Sequence, residues 1–446
     1  MNTDEPGTNR TAPADPGWRQ LRPLLLRLHF YAGVLVAPFL VVATLTGLLY
    51  VFTPQLEQLL YEEQLHVPPA AVTQPLSDQV ATARAAMPGT ELRAVRPAPT
   101  PTDTTQVIFE APDLPESHYR TVFINPHTAE IRGILHTYGS SQALPMRAWI
   151  DNLHRQLLLG EPGRIYSELA ASWLWVIVLG GLVLWLSRRR PDRRSLLLPK
   201  LRDRGRRRTL SWHGALGLWA AIGLLFLSAT GLSWSLYAGQ NISALRAALN
   251  WETPTVNTEL PHRSTADIGI DRVHQIALEH GLSGPVEITP PEDGSAYQVQ
   301  QVQRSWPTKQ DAIAVDPATG EITETLRFAD YPLMAKLTRW GIDAHMGLLF
   351  GLPNQLLLAA LGIALLLLIF WGYRMWWQRR PGGLGRPPAR GTWRRVPGRV
   401  LAPVIAAAVL IAHALPVFGV SLLLFLAIDG VLGWLHRRRA QLTTGG

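Results

Sequence analysis

Four histidines carry the most specific chemical signal in this 446-residue chain. His29 and His213 lie 184 residues apart, and each is followed at the same distances by a glycine and a Thr-Gly pair: Gly33 and Thr46-Gly47 in one case, Gly217 and Thr230-Gly231 in the other. His154 and His345 lie 191 apart and share that offset with Trp149 and Trp340, and with turns that begin at Asn125-Pro126 and Asp316-Pro317. Imidazole is a neutral nitrogen donor, and two of them facing each other form a natural axial pair for a haem iron. A single histidine at a helix end more often snorkels or bonds to headgroups. Four in a two-by-two register ask for a shared cause. Carboxylates at comparable spacing are sparse, which disfavours a zinc or di-iron carboxylate site. His413 has no mate in the other half and stands as an alternative ligand, while His127 and His136 lack matched partners. Asp151 and Asp343 precede His154 and His345 by three and two residues and could orient an imidazole, facing water being the plainer reading.

Composition narrows the chemistry further. There are no cysteines, which removes disulfides, thiolate metal sites, iron–sulfur clusters and covalently attached haem. The net charge of +9 does not point to nucleic acid, because the arginines cluster beside long apolar runs. No Rossmann glycine pattern, P-loop or Ser-His-Asp arrangement is readable. The polar, partly acidic first twenty residues contain no apolar signal segment, so the first span is expected to target the chain.

The elements that must position the histidines are membrane spans, since uncharged apolar runs of about 18 or more residues are long enough to cross a bilayer. The first is expected within 21–53, the second within 146–187 behind an interfacial helix, the third within 210–238, and the fourth within 333–374 behind a second interfacial helix. A hairpin of two spans, broken at Pro416, fills 400–436. Eleven basic residues between Arg188 and Arg208, eight between Arg374 and Arg399, and Arg437 to Arg439 mark cytoplasmic loops over 188–209 and 375–399 and a tail over 437–446. The amino-terminal tail over 1–20 then also lies in the cytoplasm, and the polar segments 54–145 and 239–332 lie outside. The expected fold class is an α-helical polytopic membrane protein with two small α+β outer domains. Helices are expected at Ser77 to Met87 and Ile270 to His280. Strands are expected at Glu91 to Arg96, Thr105 to Glu110, Tyr119 to Ile124, Val286 to Thr289, Ala296 to Val302 and Ala312 to Val315.

The two offsets imply an internal duplication with both copies in the same membrane orientation, so that equivalent residues sit at equal depth on facing helices. His29 and His213 then fall at the cytoplasmic face, His154 and His345 at the outer face. His29 to Gly47 spans about 27 Å of helix at 1.5 Å per residue, so two haems would form an electron wire across the bilayer. Gly33, Gly47, Gly217 and Gly231 would let helices approach the macrocycle or simply each other.

Several of these motifs resemble one family, the PepSY-associated transmembrane proteins, which include iron-regulated membrane proteins and ferric-siderophore reductases. The residues that carry the resemblance are Leu28-His29 with Thr46-Gly47, Trp212-His213 with Thr230-Gly231, Leu153-His154 followed by Gly160, Asp343-Ala344-His345 followed by Gly351, and the turn Asp316-Pro317-Ala318-Thr319-Gly320-Glu321. It covers roughly residues 20 to 380. It departs in the first turn, where Ala129 stands for the expected glycine, and in the carboxy-terminal hairpin. The resemblance implies PepSY-like domains in a bacterial periplasm, a place in the inner membrane, two b-type haems, and reduction of a ferric siderophore or other Fe(III) chelate on the outer side. Membrane lipids and an electron donor, quinol or a cytoplasmic reductase, would be the other partners. No cytoplasmic flavin domain is visible. Arg304, Trp306 and Arg327 could meet an anionic chelate, solvated surface being the plainer reading. The rival readings are a non-enzymatic sensor or inhibitor that binds a periplasmic peptide or protein, and a transporter.

Overall fold

A proline divides the first apolar run. In the computed structural model, which describes residues 16–188, 194–261, 265–379, 391 and 396–444, this run is two helices, α1 (Pro16–Leu35) and α2 (Ala37–Val51), bent by 54°. The one span expected here is broken in its middle. Pro38 has no N–H to give to Val34 four residues back, and its ring crowds that carbonyl. The Tyr373 hydroxyl takes the place of the missing donor, donating to Val34 O at 2.8 Å.

The chain continues through α3 (Thr53–Leu60), α4 (Glu62–Leu65) and α5 (Leu76–Ala86) into four strands: β1 (Leu92–Arg96), β2 (Thr105–Glu110), β3 (His118–Ile124) and β4 (Ile131–Tyr138). Helix α6 (Pro145–Gln156) leads to α7 (Glu161–Leu186), a short α8 (Arg194–Leu197), α9 (Gly205–Ser233) and α10 (Tyr237–Ala248). Then come α11 (Ile270–Glu279) and the strands β5 (Val286–Thr289), β6 (Tyr297–Gln301), β7 (Ala312–Val315) and β8 (Ile322–Leu326). The last helices are α12 (Leu333–His345), α13 (Leu352–Trp377), α14 (Gly398–Ala414) and α15 (Pro416–Thr444). Four helices are long and apolar enough to cross a membrane, α7, α9, α13 and the Pro416–Leu435 part of α15; the bent α1–α2 pair makes a fifth, and α14 is a shorter apolar helix. The protein is therefore a multi-pass membrane protein. Outside the described residues lie 1–15 of the expected amino-terminal tail, 189–193 of the first basic loop, most of the second, and the end of the carboxy-terminal tail.

The chain divides into two units. The sheet unit comprises Leu45–Leu158 and Ala244–Ala360. Its eight strands form one antiparallel sheet in the order β4-β3-β2-β1-β5-β6-β7-β8. The two polar segments 54–145 and 239–332 do not form separate sheets: β1 and β5 pair at Val95 and Ile288, and one core runs beneath α5 and α11 from Val80 and Phe109 to Val273 and Val299. Each four-stranded meander has an apolar face too small to seal alone, and joining them covers two edge strands. Arg96 Nε donates to Glu287 across this seam (2.8 Å), and Asp271 of α11 accepts from Leu76 N at the start of α5 (2.6 Å). Ala129, in the first turn, is held at a φ of +57°, where the second turn has Gly320 at +74°; the alanine carries a local cost that glycine avoids.

The helical unit comprises the described residues of Met1–Thr44, Leu159–Ser243 and Leu361–Gly446. Helices α7 and α9 approach closely because small residues line their contact: a Cβ on Gly214 would stand 2.2 Å from the Trp185 ring. Ser228 Oγ donates to Ala171 O at 2.7 Å. Glu168, fully buried on α7, accepts from the main-chain N–H groups of Tyr237 and Ala238 and so caps α10 (2.9 and 3.0 Å).

Candidate functional site: two histidine pairs

His29 lies on α1 and packs into a notch on α7 made by Gly180 and Gly181. A Cβ on Gly181 would stand 2.9 Å from His29 Cε1, so only glycine leaves room for the ring. His29 Nδ1 bonds to Ile177 O, one helical turn from that notch, at 3.0 Å. His213 on α9 makes the same kind of bond to α13, Nδ1 to Leu368 O at 3.1 Å. A carbonyl oxygen only accepts, so each Nδ1 must carry the proton, and each ring is left with a lone pair on Nε2. This is the support that metal-ligating histidines usually have. The ring centres are 6.4 Å apart with their planes at 75°. Two imidazoles on opposite sides of one metal ion have ring centres roughly 6 Å apart, from bonds of about 2 Å and about 1.1 Å from each nitrogen to its ring centre. Both residues keep a little exposure, and the Cβ position of Gly33, one turn after His29, opens on free space. That separation of the ring centres is the one that two axial imidazoles on a planar macrocycle would need.

Arg27, two residues before His29, forms an ion pair with Asp429 of α15. Its guanidinium also lies 4.9 Å from the Tyr31 ring centre, and Tyr31 packs on Phe425. Asp429, a carboxylate within an apolar helix, therefore meets its partner in α1.

In the sheet unit, His154 of α6 and His345, the last residue of α12, form the second pair. Both come from helices whose ends are fixed by tight turns. After α6, Leu157 and Leu158 adopt left-handed backbone; after α12, Leu348 N returns to Asp343 O at 2.8 Å, and Asn354 Nδ2 donates to Ala344 O at 2.9 Å. His154 Nδ1 bonds to Thr46 Oγ1 at 3.0 Å, and its ring lies on Gly47, where a Cβ would stand 3.2 Å from Cε1. Burial, with the neighbouring His154 as a second cause, pushes the His345 imidazole down to about 3. It is neutral at any ordinary pH, which is the ligand form.

The acidic neighbours behave differently from the plain expectation. Asp343 does not face water; it is 0% exposed and accepts from Arg304 Nε (2.6 Å) and Arg339 Nε (3.0 Å). Arg304 is therefore engaged with α12, whereas Arg327 and Trp306 are exposed. Burial pushes the Asp151 carboxyl up, against the pull of Arg155 and Arg147. His413 is exposed on α14, its carbonyl accepting from Asn241. His127 is buried, with its ring nitrogens 2.8 Å from Val72 O and Pro101 O, so it ties loops together. No group of three or more metal-binding side chains occurs among the described residues.

Of the glycines singled out in the sequence, Gly47 seats a histidine, Gly217 meets Leu368 and Gly231 meets Ala171. Sequence reasoning missed the Ile177 and Leu368 carbonyls, which have no side-chain signature. It also missed Gly180-Gly181, whose signal was a glycine doublet inside an apolar run.

No curated protein matches the chain. A family model described as PepSY-associated TM region matches residues 26–379, a stretch that holds all four histidines and ends before α14. The chain belongs to the PepSY-associated TM region family.

Proposed function

We propose that this protein is a bacterial inner-membrane oxidoreductase that holds two b-type haems and delivers electrons to a ferric chelate, such as a ferric siderophore, on the periplasmic side. The observation that carries the reading is the His29–His213 pair, with each Nδ1 proton committed to a carbonyl and ring centres 6.4 Å apart. His29 and His213 would hold one haem near the cytoplasmic face, and His154 and His345 the other near the outer face. Bound there, haem takes up and returns one electron at a time.

The chain's own residues supply ligation and seating. Ile177 and Leu368 orient the first pair; Thr46 orients His154. Gly181 and Gly47 admit the rings. The substrate iron would lose one positive charge on reduction, which weakens its hold on hard oxygen ligands and frees it. The donor would be quinol or a cytoplasmic reductase. The reading also takes the chain as a duplicated unit with cytoplasmic termini. The shared register of the four histidines supports this, as do the two helix-plus-meander halves that meet at β1 and β5.

Purified protein should show a Soret band that sharpens and shifts with dithionite, and a pyridine haemochrome assay should return two b-type haems per chain. His29→Ala or His213→Ala should remove one, and His154→Ala or His345→Ala the other. A colourless protein, or full haem in the His29→Ala/His345→Ala double variant, would overturn the proposal.

A further inference from the structure

The ions that flank His345 along the chain do not balance. Asp343 is fully buried two residues before it and is held by two guanidinium groups, Arg304 from the loop after β6 and Arg339 one helical turn earlier on α12. Arg304 also donates through Nη2 to Sδ of Met346, the residue immediately after His345, at 3.0 Å. The charges thus bracket the ligand in the chain. Both guanidinium groups are largely shielded, with side chains 16% and 26% exposed. Two cations against one anion leave a fixed charge of +1. Along α6, Arg147 pairs with Glu57, and Arg155 and Arg147 both act on Asp151.

Stability does not explain the excess. Burying an ion pair costs desolvation that apolar residues would avoid, and joining the loop to the helix needs one arginine at most. The main-chain bond from Trp306 N to Leu349 O (2.7 Å) and the packing of Trp306 on Trp340 already make that join. A shielded charge is, however, an effective way to set a redox equilibrium, because it is little screened by solvent and salt.

We infer that Arg304, Asp343 and Arg339 form a fixed positive charge that raises the reduction potential of the redox group held by His154 and His345. This rests on the proposed function above. A net positive charge favours the reduced form, which carries one positive charge fewer. The group at His154 and His345 would therefore hold electrons more tightly than it would without this charge.

Spectroelectrochemical titration of the full-length protein in detergent tests this through signs. The wave to follow is the one that His345→Ala removes. Arg304→Gln and Arg339→Gln should each move it to lower potential, so that the reduced-to-oxidised ratio at a fixed poise falls several-fold. Asp343→Asn should move it to higher potential, and Arg304→Gln/Asp343→Asn should restore it. Arg304→Lys, which keeps the charge, should leave it near the starting value. If Asp343→Asn does not fold, the contrast between Arg304→Gln and Arg304→Lys decides. Intact haem with no shift, or shifts of one sign in all variants, would overturn this inference and leave the proposed function standing. A preparation without haem would overturn both.

Discussion

The two histidine pairs are built from the same residue type but seated by different means. In the helical unit, both rings are fixed through Nδ1 to main-chain carbonyls of neighbouring apolar helices. That choice leaves one tautomer, and no substitution at Ile177 or Leu368 deletes the acceptor. In the sheet unit, His154 is held by the Thr46 hydroxyl, which can donate or accept, and His345 stands at a helix end beside a buried cluster of charges. Apolar helices offer few polar side chains, so the backbone must orient a ligand there. Where polar side chains and charges are at hand, as in the sheet unit, they can do so and can be changed one at a time.

The comparison can be broken most severely at the rings. His213→Ala should abolish one spectroscopically distinct site and leave the other intact, whereas His345→Ala should do the reverse, read as haem content per chain. The glycine seats give the next largest contrast. Gly181→Ala puts a Cβ 2.9 Å from a ring held by a carbonyl, and overpacking of this kind costs about 1–3 kcal/mol. Gly47→Ala, at 3.2 Å from a ring on a more adaptable partner, should cost less in thermal melting and in retained cofactor.

Acid should act through His345. Its imidazole is pushed from the usual histidine value down to about 3, so the folded form stays neutral while the unfolded chain takes up a proton. The sheet unit's stability is therefore fully present above pH ~6.5 and falls by up to about 1.4 kcal/mol per unit as the pH drops from there towards 3. Limited proteolysis of cofactor-free protein between pH 7 and 4 should show this loss, and His345→Gln should flatten it. The smallest effect is expected at Thr46→Val. Losing one hydrogen bond costs about 1 kcal/mol, which should weaken retention of a group at His154 and His345 less than tenfold and leave one at His29 and His213 unchanged.

How much of this was legible in the sequence follows from what each feature depends on. The β2, β5 and β7 strands coincide with alternating or β-branched runs, and α11 begins at the expected Ile270. The outer strands β4 and β8 were not read: Ile131–Tyr138 contains Gly133 and two exposed apolar positions, and Ile322–Leu326 alternates threonine and glutamate with only two apolar residues. Both are edge strands, whose composition is least constrained. Pro38 was visible, yet the bend it causes was not, because a proline's effect on a span depends on whether a group such as the Tyr373 hydroxyl can receive the orphaned carbonyl.

The sequence by itself determined the apolar helices, the Pro416 break, the turns at Asn125-Pro126 and Asp316-Pro317, and the register of the four histidines. Each of these is written in local composition or in spacing along the chain. Only the tertiary structure decided that His29 meets His213 at 6.4 Å, that Ile177 and Leu368 fix their tautomers, that β1 joins β5, and that Asp343 is buried between two arginines. The reason is physical. A backbone carbonyl is the same in every residue, and a carboxylate reads the same in a sequence whether it faces water or a guanidinium from 39 residues away.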